Sequence, residues 1–324
     1  MNNNRTIIVS NRLPVKVEIQ EDEIKYHASE GGLATGLSSV RENGDTVWIG
    51  WSGIATKNLQ LQSNIDKELK KQDLISIMLC EQEIKDFYEG FSNETLWPLF
   101  HYFPSYAQYS QEQWNTYVSV NQKFADAIVD VASPNDTIWI HDYHLLLVPS
   151  LVRDKMPSAR IGFFQHIPFP SFEVFRLLPW RNELLKGLLG ADLIGFHTND
   201  DVFHFMECIE KITEASILEA SVFGNEILLD TRTITVEAFP MGIDFDKHKN
   251  LAIAEGTQRH MDKLRELTCG KKMIVSVDRL DYSKGILHRL KAYEQFLVQH
   301  LLFLHVILLL FFRLLFRDQT YSKL

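Results

Sequence analysis

Cysteine is scarce: the 324 residues hold three, Cys80, Cys208 and Cys269, far apart and with no C-x-x-C pair. That spacing excludes a disulfide framework and a zinc site built on paired thiols, and points to a reducing, cytoplasmic setting. Glycine (16) and proline (10) are too few for a collagen-like or low-complexity chain. No secretory leader opens the sequence, because Met-Asn-Asn-Asn-Arg runs straight into an apolar stretch of three, Ile7-Ile8-Val9. The longest apolar run, 301–316, has 16 residues and is broken by His305 and Arg313. It is short of the ~20 residues that cross a bilayer as a helix, and an arginine there would be costly in lipid. It reads instead as a strand covered on both faces, one that lacks partner strands and is therefore prone to aggregate. Positive charge is also in deficit, with 33 Lys and Arg against 42 Asp and Glu, a net −9. A bulk nucleic-acid binder is thereby excluded.

What is present is core-forming material: 45% hydrophobic and 11% aromatic residues, enough to bury a sizeable interior. At ~100–200 residues per domain, the length suits two domains. The charge is uneven. Residues 1–250 carry a net −14, whereas residues 251–324 carry +5. The second segment is the better place for an anionic ligand, unless the asymmetry is a chance surface pattern. Strand-like apolar runs lie at 6–10, 46–50, 75–79, 137–141, 160–165, 192–196, 233–238 and 272–277. Helical stretches fall at 33–43, 81–90, 113–131, 144–154, 179–189, 199–211, 255–268 and 285–299. This alternation predicts βαβ units and an α/β fold with parallel sheets. A hairpin over 15–19 and 24–27 is expected after the first strand. Pro240-Met241-Gly242 marks a domain junction, dividing the chain into 1–242 and 243–324.

Chemistry-bearing residues cluster just after these strands. Asp278-Arg279-Leu280-Asp281-Tyr282-Ser283-Lys284-Gly285 joins a strand to a helix, with Arg279 as a planar fork and Lys284 as a point charge for phosphate. The alternative is a surface loop whose cations pair with Asp278 and Asp281. Gly31 and Gly32 open another helix and let a ligand approach the backbone, or serve as a plain turn. His141-Asp142-Tyr143-His144 and His166 follow two strands and would converge on one crevice. Substrate contact, structural capping and a metal site are all compatible with them, although the spacing is not that of a helical zinc motif. Asp244-Phe245-Asp246 imitates a metal-binding D-x-D but reads as a solvated turn or helix cap. Trp48, Trp51, Tyr88 and Trp97 suit a sugar site or a core. Arg12, directly after the first strand, is either an anion holder or a surface charge.

Nine runs in fixed order carry a resemblance: IIVSNRLP, SEGGLATGL, VWIGWSG, FSNETLWPLFHY, WIHDYHLLLVP, IGFFQHIPFP, GFHTND, PMGID and SVDRLDYSKG. Over about residues 5–300 the chain closely resembles the UDP-forming trehalose-6-phosphate synthases. The resemblance implies a GT-B fold, two Rossmann-like domains, with residues 1–242 as the acceptor domain and 243–324 as part of a nucleotide-sugar domain. It implies transfer of glucose from UDP-glucose to glucose 6-phosphate, with retention, no metal and no cofactor. Arg12, Tyr88 and Trp97 would hold the acceptor phosphate, and Asp142 and Trp51 the acceptor sugar. His166 would contact the donor glucose, and Gly31 and Gly32 would lie near the donor diphosphate. Arg279 and Lys284 would neutralise that diphosphate as it leaves. The implied catalytic set is Asp142, His166, Arg279 and Lys284. No membrane or nucleic-acid partner is implied; a homo-oligomer or a trehalose-synthase complex is. In the family the second domain runs well over a hundred residues past the DRLDYSKG motif, whereas 243–324 is 82 residues and its sequence after His300 departs from the pattern. Arg317 reads as a displaced stand-in for a phosphate-contacting arginine. The expectation is a chain that binds glucose 6-phosphate with little turnover on its own. The alternative is a non-enzymatic sensor or complex subunit that binds the same ligand.

Overall fold

The computed structural model describes residues 4–20, 23–29, 32–37, 40, 45–56, 58–214, 220–229, 232–269, 271–301 and 307–313. The chain divides into two compact units, Met1–Met241 and Gly242–Leu324.

In the first unit, β1 (Thr6–Arg12), the hairpin β2 (Val15–Gln20) and β3 (Glu23–Ala28), β4 (Thr46–Trp51), β5 (Leu74–Ile77), β6 (Thr137–His141), β7 (Arg160–Phe164) and β8 (Leu193–Phe196) are followed by β9 (Ser221–Phe223), β10 (Glu226–Leu229) and β11 (Arg232–Ala238). Nine of these form one sheet, in the order β5-β4-β1-β6-β7-β8-β11-β10-β9. All neighbours from β5 to β11 run parallel, and only β10 and β9 turn antiparallel. A parallel sheet needs crossovers and cover on both faces, which is why its strands read as unbroken apolar runs. Ile7, Ile8 and Val9 of β1 are wholly buried accordingly (0%). The connections run outward from β1 through β4 to β5, then return to β6 on the other side of β1. The carboxyl ends of β1 and β6 therefore flank a topological switch point, the place where open α/β sheets bind ligands.

Three elements differ from those expected. The helix expected at 81–90 continues: a short α-turn, Glu81–Glu83, passes into a π-helix, Ile84–Leu96, and then into Trp97–Phe100. The Trp97 N–H still bonds the Ser92 carbonyl five residues back. The helix Leu59–Lys70 was not expected, since only Ile65 and Leu69 on it are buried. The hairpin β9–β10 was also missed; it turns at Gly224, whose φ of 59° is open to glycine. Of the helix expected at 33–43, Gly32–Gly36 is described, and 38–39 and 41–44 lie outside the described residues.

In the second unit Asp244 caps the helix Phe245–Ile253, its carboxylate accepting from the Lys247 N–H at 2.9 Å. The helix Glu255–Thr268, β12 (Lys272–Asp278), a turn of 3₁₀-helix (Tyr282–Lys284), the helix Ile286–Gln299 and β13 (Ile307–Arg313) follow. The apolar tail does have a partner, contrary to the sequence expectation. β13 pairs parallel with β12 from Lys272↔Ile307 to Asp278↔Arg313, through a helical crossover. Arg317 lies outside the described residues.

Candidate active site

Arg12 is the last residue of β1 and pairs in register with Trp51, the last of β4, after an irregularity between Val9 and Arg12. Its guanidinium lies over the Trp51 ring (4.2 Å to the centroid) and near the Tyr88 ring (5.4 Å). The two rings meet edge to face at 6.0 Å. Trp51 is buried and donates its indole N–H to the Ile54 carbonyl at 2.8 Å. Gly53, at φ 93°, leaves the space that the guanidinium needs, for a Cβ there would lie 2.8 Å from Arg12 Nη1. A planar cation stacked on aromatic faces stays oriented.

Asp142 follows β6 at φ 76°, a left-handed conformation costly for any residue but glycine. Its amide donates to the Phe164 carbonyl (2.8 Å). Its carboxylate accepts from the backbone N–H groups of Tyr143 (3.0 Å) and His166 (3.2 Å). These bonds tie the ends of β6 and β7 together. Burial nonetheless raises the Asp142 carboxyl above the usual range, with His144 and the two amides working the other way. His141 is wholly buried and its Nδ1 sits 3.0 Å from Nε2 of His166. Burial pushes His141 well below the ordinary imidazole range, and the neighbouring His166 adds to this. It pushes His144 and His166 down to about 4. All three imidazoles are neutral at pH 7, so Arg12 supplies the positive charge of this cluster.

His144 stacks on Tyr88 (5.7 Å, 17°) and also meets Tyr143 (4.0 Å, tilted). Trp97 packs against Tyr143 (5.9 Å) and His101 (3.9 Å). Trp48 is core: it is buried on β4, with its indole donating to Ser10 Oγ at 2.7 Å. Gly32 starts a five-residue helix and is exposed, and Gly31 lies outside the described residues. Sequence reasoning did not single out His197, which follows β8 and faces His166 edge-on at 5.6 Å. Its signal was there: three neighbouring parallel strands each end in a histidine within two residues. Among the described residues no three His, Cys, Asp or Glu side chains group to hold a metal ion.

In the second unit Arg279 is exposed and Lys284 half-buried, on the loop after β12. Asp278 is held by Arg289 (2.7 Å), and Asp281 caps its own turn through the Ser283 N–H (2.8 Å). Arg289, a further cation at this loop, was not singled out by sequence reasoning. Gly285 takes φ 61° to start the following helix.

Residues 4–315 match the profile of glycosyltransferase family 20. The chain belongs to that family. It is 43% identical over 307 residues to a bifunctional trehalose-6-phosphate synthase/phosphatase of Thermoproteus tenax, which covers 91% of this chain and 40% of that protein. Two solved structures are similar. The Escherichia coli protein described as bound with UDP-2-fluoro glucose has 30% identity and a TM-score of 0.79, over 95% of this chain and 64% of that one. The synthase from Burkholderia xenovorans in complex with glucose-6-phosphate has 29% identity and a TM-score of 0.79, over 96% of this chain and 65% of that one. The α/β, GT-B assignment is borne out. The chain spans between 39% and 63% of the length of the curated relatives it matches. No helix among the described residues is long and apolar enough to cross a membrane.

Proposed function

We propose that residues 1–242 hold glucose 6-phosphate, and that the protein transfers glucose to it from UDP-glucose, with retention, giving trehalose 6-phosphate and UDP. The supporting observation is Arg12, stacked on Trp51 and Tyr88 at the sheet's switch point, at the end of a strand that pairs with β6, which Asp142 follows. In this reading the guanidinium fork grips the acceptor phosphate, with Tyr88 and Trp97 beside it. Trp51 supplies an apolar face for the acceptor sugar, and the Asp142 carboxylate an acceptor for its hydroxyls. His166 contacts the donor glucose, and Gly31 and Gly32 lie near the donor diphosphate. Residues 243–324 contribute Arg279 and Lys284, whose positive charge strengthens its hold as the UDP phosphate gains charge. The bond from glucose C1 to the UDP phosphate breaks, C1 bonds to the acceptor oxygen, and the acceptor proton passes to the departing phosphate. A cytoplasmic location belongs to the same proposal, as does assembly into a homo-oligomer or synthase complex.

Calorimetric titration with glucose 6-phosphate tests the acceptor site: saturable heat is expected, and none at millimolar ligand would overturn the reading. UDP release from UDP-glucose, with and without glucose 6-phosphate, separates glucosyl transfer from binding alone. Acceptor-dependent release is the result expected of a transferase. Binding without release is the result expected of a sensor or complex subunit.

A further inference from the structure

We propose that His141 is a positioning residue that fixes the tautomer of His166, so that His166 presents an N–H at Nδ1 to a ligand oxygen. The contact between Nδ1 of His141 and Nε2 of His166, 3.0 Å long, is the only hydrogen bond the structure gives either ring among the described residues. Neutral imidazole has one donor and one acceptor nitrogen, so a single proton lies in that contact. Where it lies decides both remaining nitrogens. If His166 donates from Nε2, His141 must accept at Nδ1 and carry its own proton on Nε2. That nitrogen is buried and has no hydrogen-bond partner, so an N–H would be stranded in a dry interior. If His141 donates from Nδ1, its buried Nε2 is left a bare acceptor instead. Stranded N–H groups are the rarer of the two in protein interiors, and the second arrangement is the one we assign. The proton of His166 then sits on Nδ1, which has no hydrogen bond among the described residues and belongs to a half-buried side chain.

Both rings remain neutral at working pH, because burial keeps them from taking a second proton. The histidine after β7 is thus a fixed donor that cannot invert to an acceptor while His141 stays behind it. The tautomer stands on this geometry and on the neutrality of the rings, whatever the ligand. Only the identity of the ligand oxygen, a sugar hydroxyl, rests on the glucosyl-transfer reading.

The test is multiple-bond ¹H–¹⁵N NMR of the histidine rings in the ¹⁵N-labelled 324-residue chain at pH 7, without ligand, using His141→Leu for assignment. His141 and His166 are both expected with the proton on Nδ1 and a bare Nε2. A proton on Nε2 of His166 would overturn the proposal whatever the ligand proves to be. His141→Asp places an acceptor oxygen behind His166 and is expected to move the His166 proton to Nε2 and raise the pH at which the ring titrates. An unchanged tautomer in that variant would show that His141 merely fills space. Should His141→Leu fail to fold, His166→Gln supplies the assignment from the other ring, and the wild-type spectrum then decides. Glucose 6-phosphate titration of the same sample reports on the functional reading separately.

Discussion

The two units carry the same device, an apolar strand followed by a loop with an arginine near its start, but support it differently. In the first, Ile7, Ile8 and Val9 of β1 are fully buried (0%), and Arg12 at the strand's end is clasped by two aromatic rings. In the second, Met273, Ile274 and Val275 of β12 remain 42%, 45% and 49% exposed. Arg279 there is exposed, on a loop in which Asp281 accepts from the Ser283 amide. A shared motif therefore gives shared placement but not shared rigidity. Rigidity comes from neighbours in the sheet: Arg12 borrows Trp51 from β4 and Tyr88 from the π-helix.

The largest effect expected from that contrast is on stability. Ile8→Ala should cost about 2–5 kcal/mol, as for other large-to-small core changes, whereas Ile274→Ala should cost about 1 kcal/mol or less, since much of its surface is already wet. Urea unfolding measures both, and equal losses would break the comparison.

Acid comes next. Between the ordinary imidazole value of 6.5 and about 4, unfolded chains take up protons that buried His144 and His166 refuse. Stability of the first unit should fall as pH falls through that window, by up to about 3 kcal/mol for each. Asp142 opposes this in part, because its raised carboxyl keeps a proton that the unfolded chain has released, a contribution lost as pH rises. Urea midpoints at pH 7.5 and 4.5 report the balance. An unchanged midpoint would mean that water reaches these rings.

Binding should separate the units more finely. Arg12→Ala removes charge-assisted bonds worth about 1.5–3 kcal/mol, so glucose 6-phosphate affinity should drop roughly 10- to 100-fold. Arg279→Ala should leave it unchanged by calorimetry. The smallest effect concerns Arg289. Its pair with Asp278 is partly exposed (39% and 25%), so Arg289→Ala should cost about 1 kcal/mol at most by urea unfolding.

Much of this was legible before the structure. Strands covered on both faces announce themselves as short apolar runs, so β1, β6, β7 and β12 were found, and Arg12, Asp142 and His166 were placed by following those runs to their ends. What sequence could not give were arrangements depending on a second element. Tyr88 and Trp97 read alike, as aromatics near a loop, yet one meets His144 and the other Tyr143. The partner of the apolar tail was invisible because pairing between 272–278 and 307–313 is a tertiary fact. His141 looked like one more histidine in a row, until its ring nitrogen proved to face that of His166.

The π-helix over Ile84–Leu96 has a consequence for how Tyr88 and Trp97 can be spaced. Nine positions separate them, two and a half turns of a normal helix at 3.6 residues per turn, which would aim the two rings in opposite directions. With the wider winding of an i→i+5 helix, about 4.4 residues per turn, nine positions complete just over two full revolutions. Both rings then project to the same side, one against His144 and the other against Tyr143. The pitch of this segment thus acts as a gear ratio between two aromatic contacts. Deleting or inserting a single residue between them would rotate one ring away from the sheet edge without altering any residue that touches it.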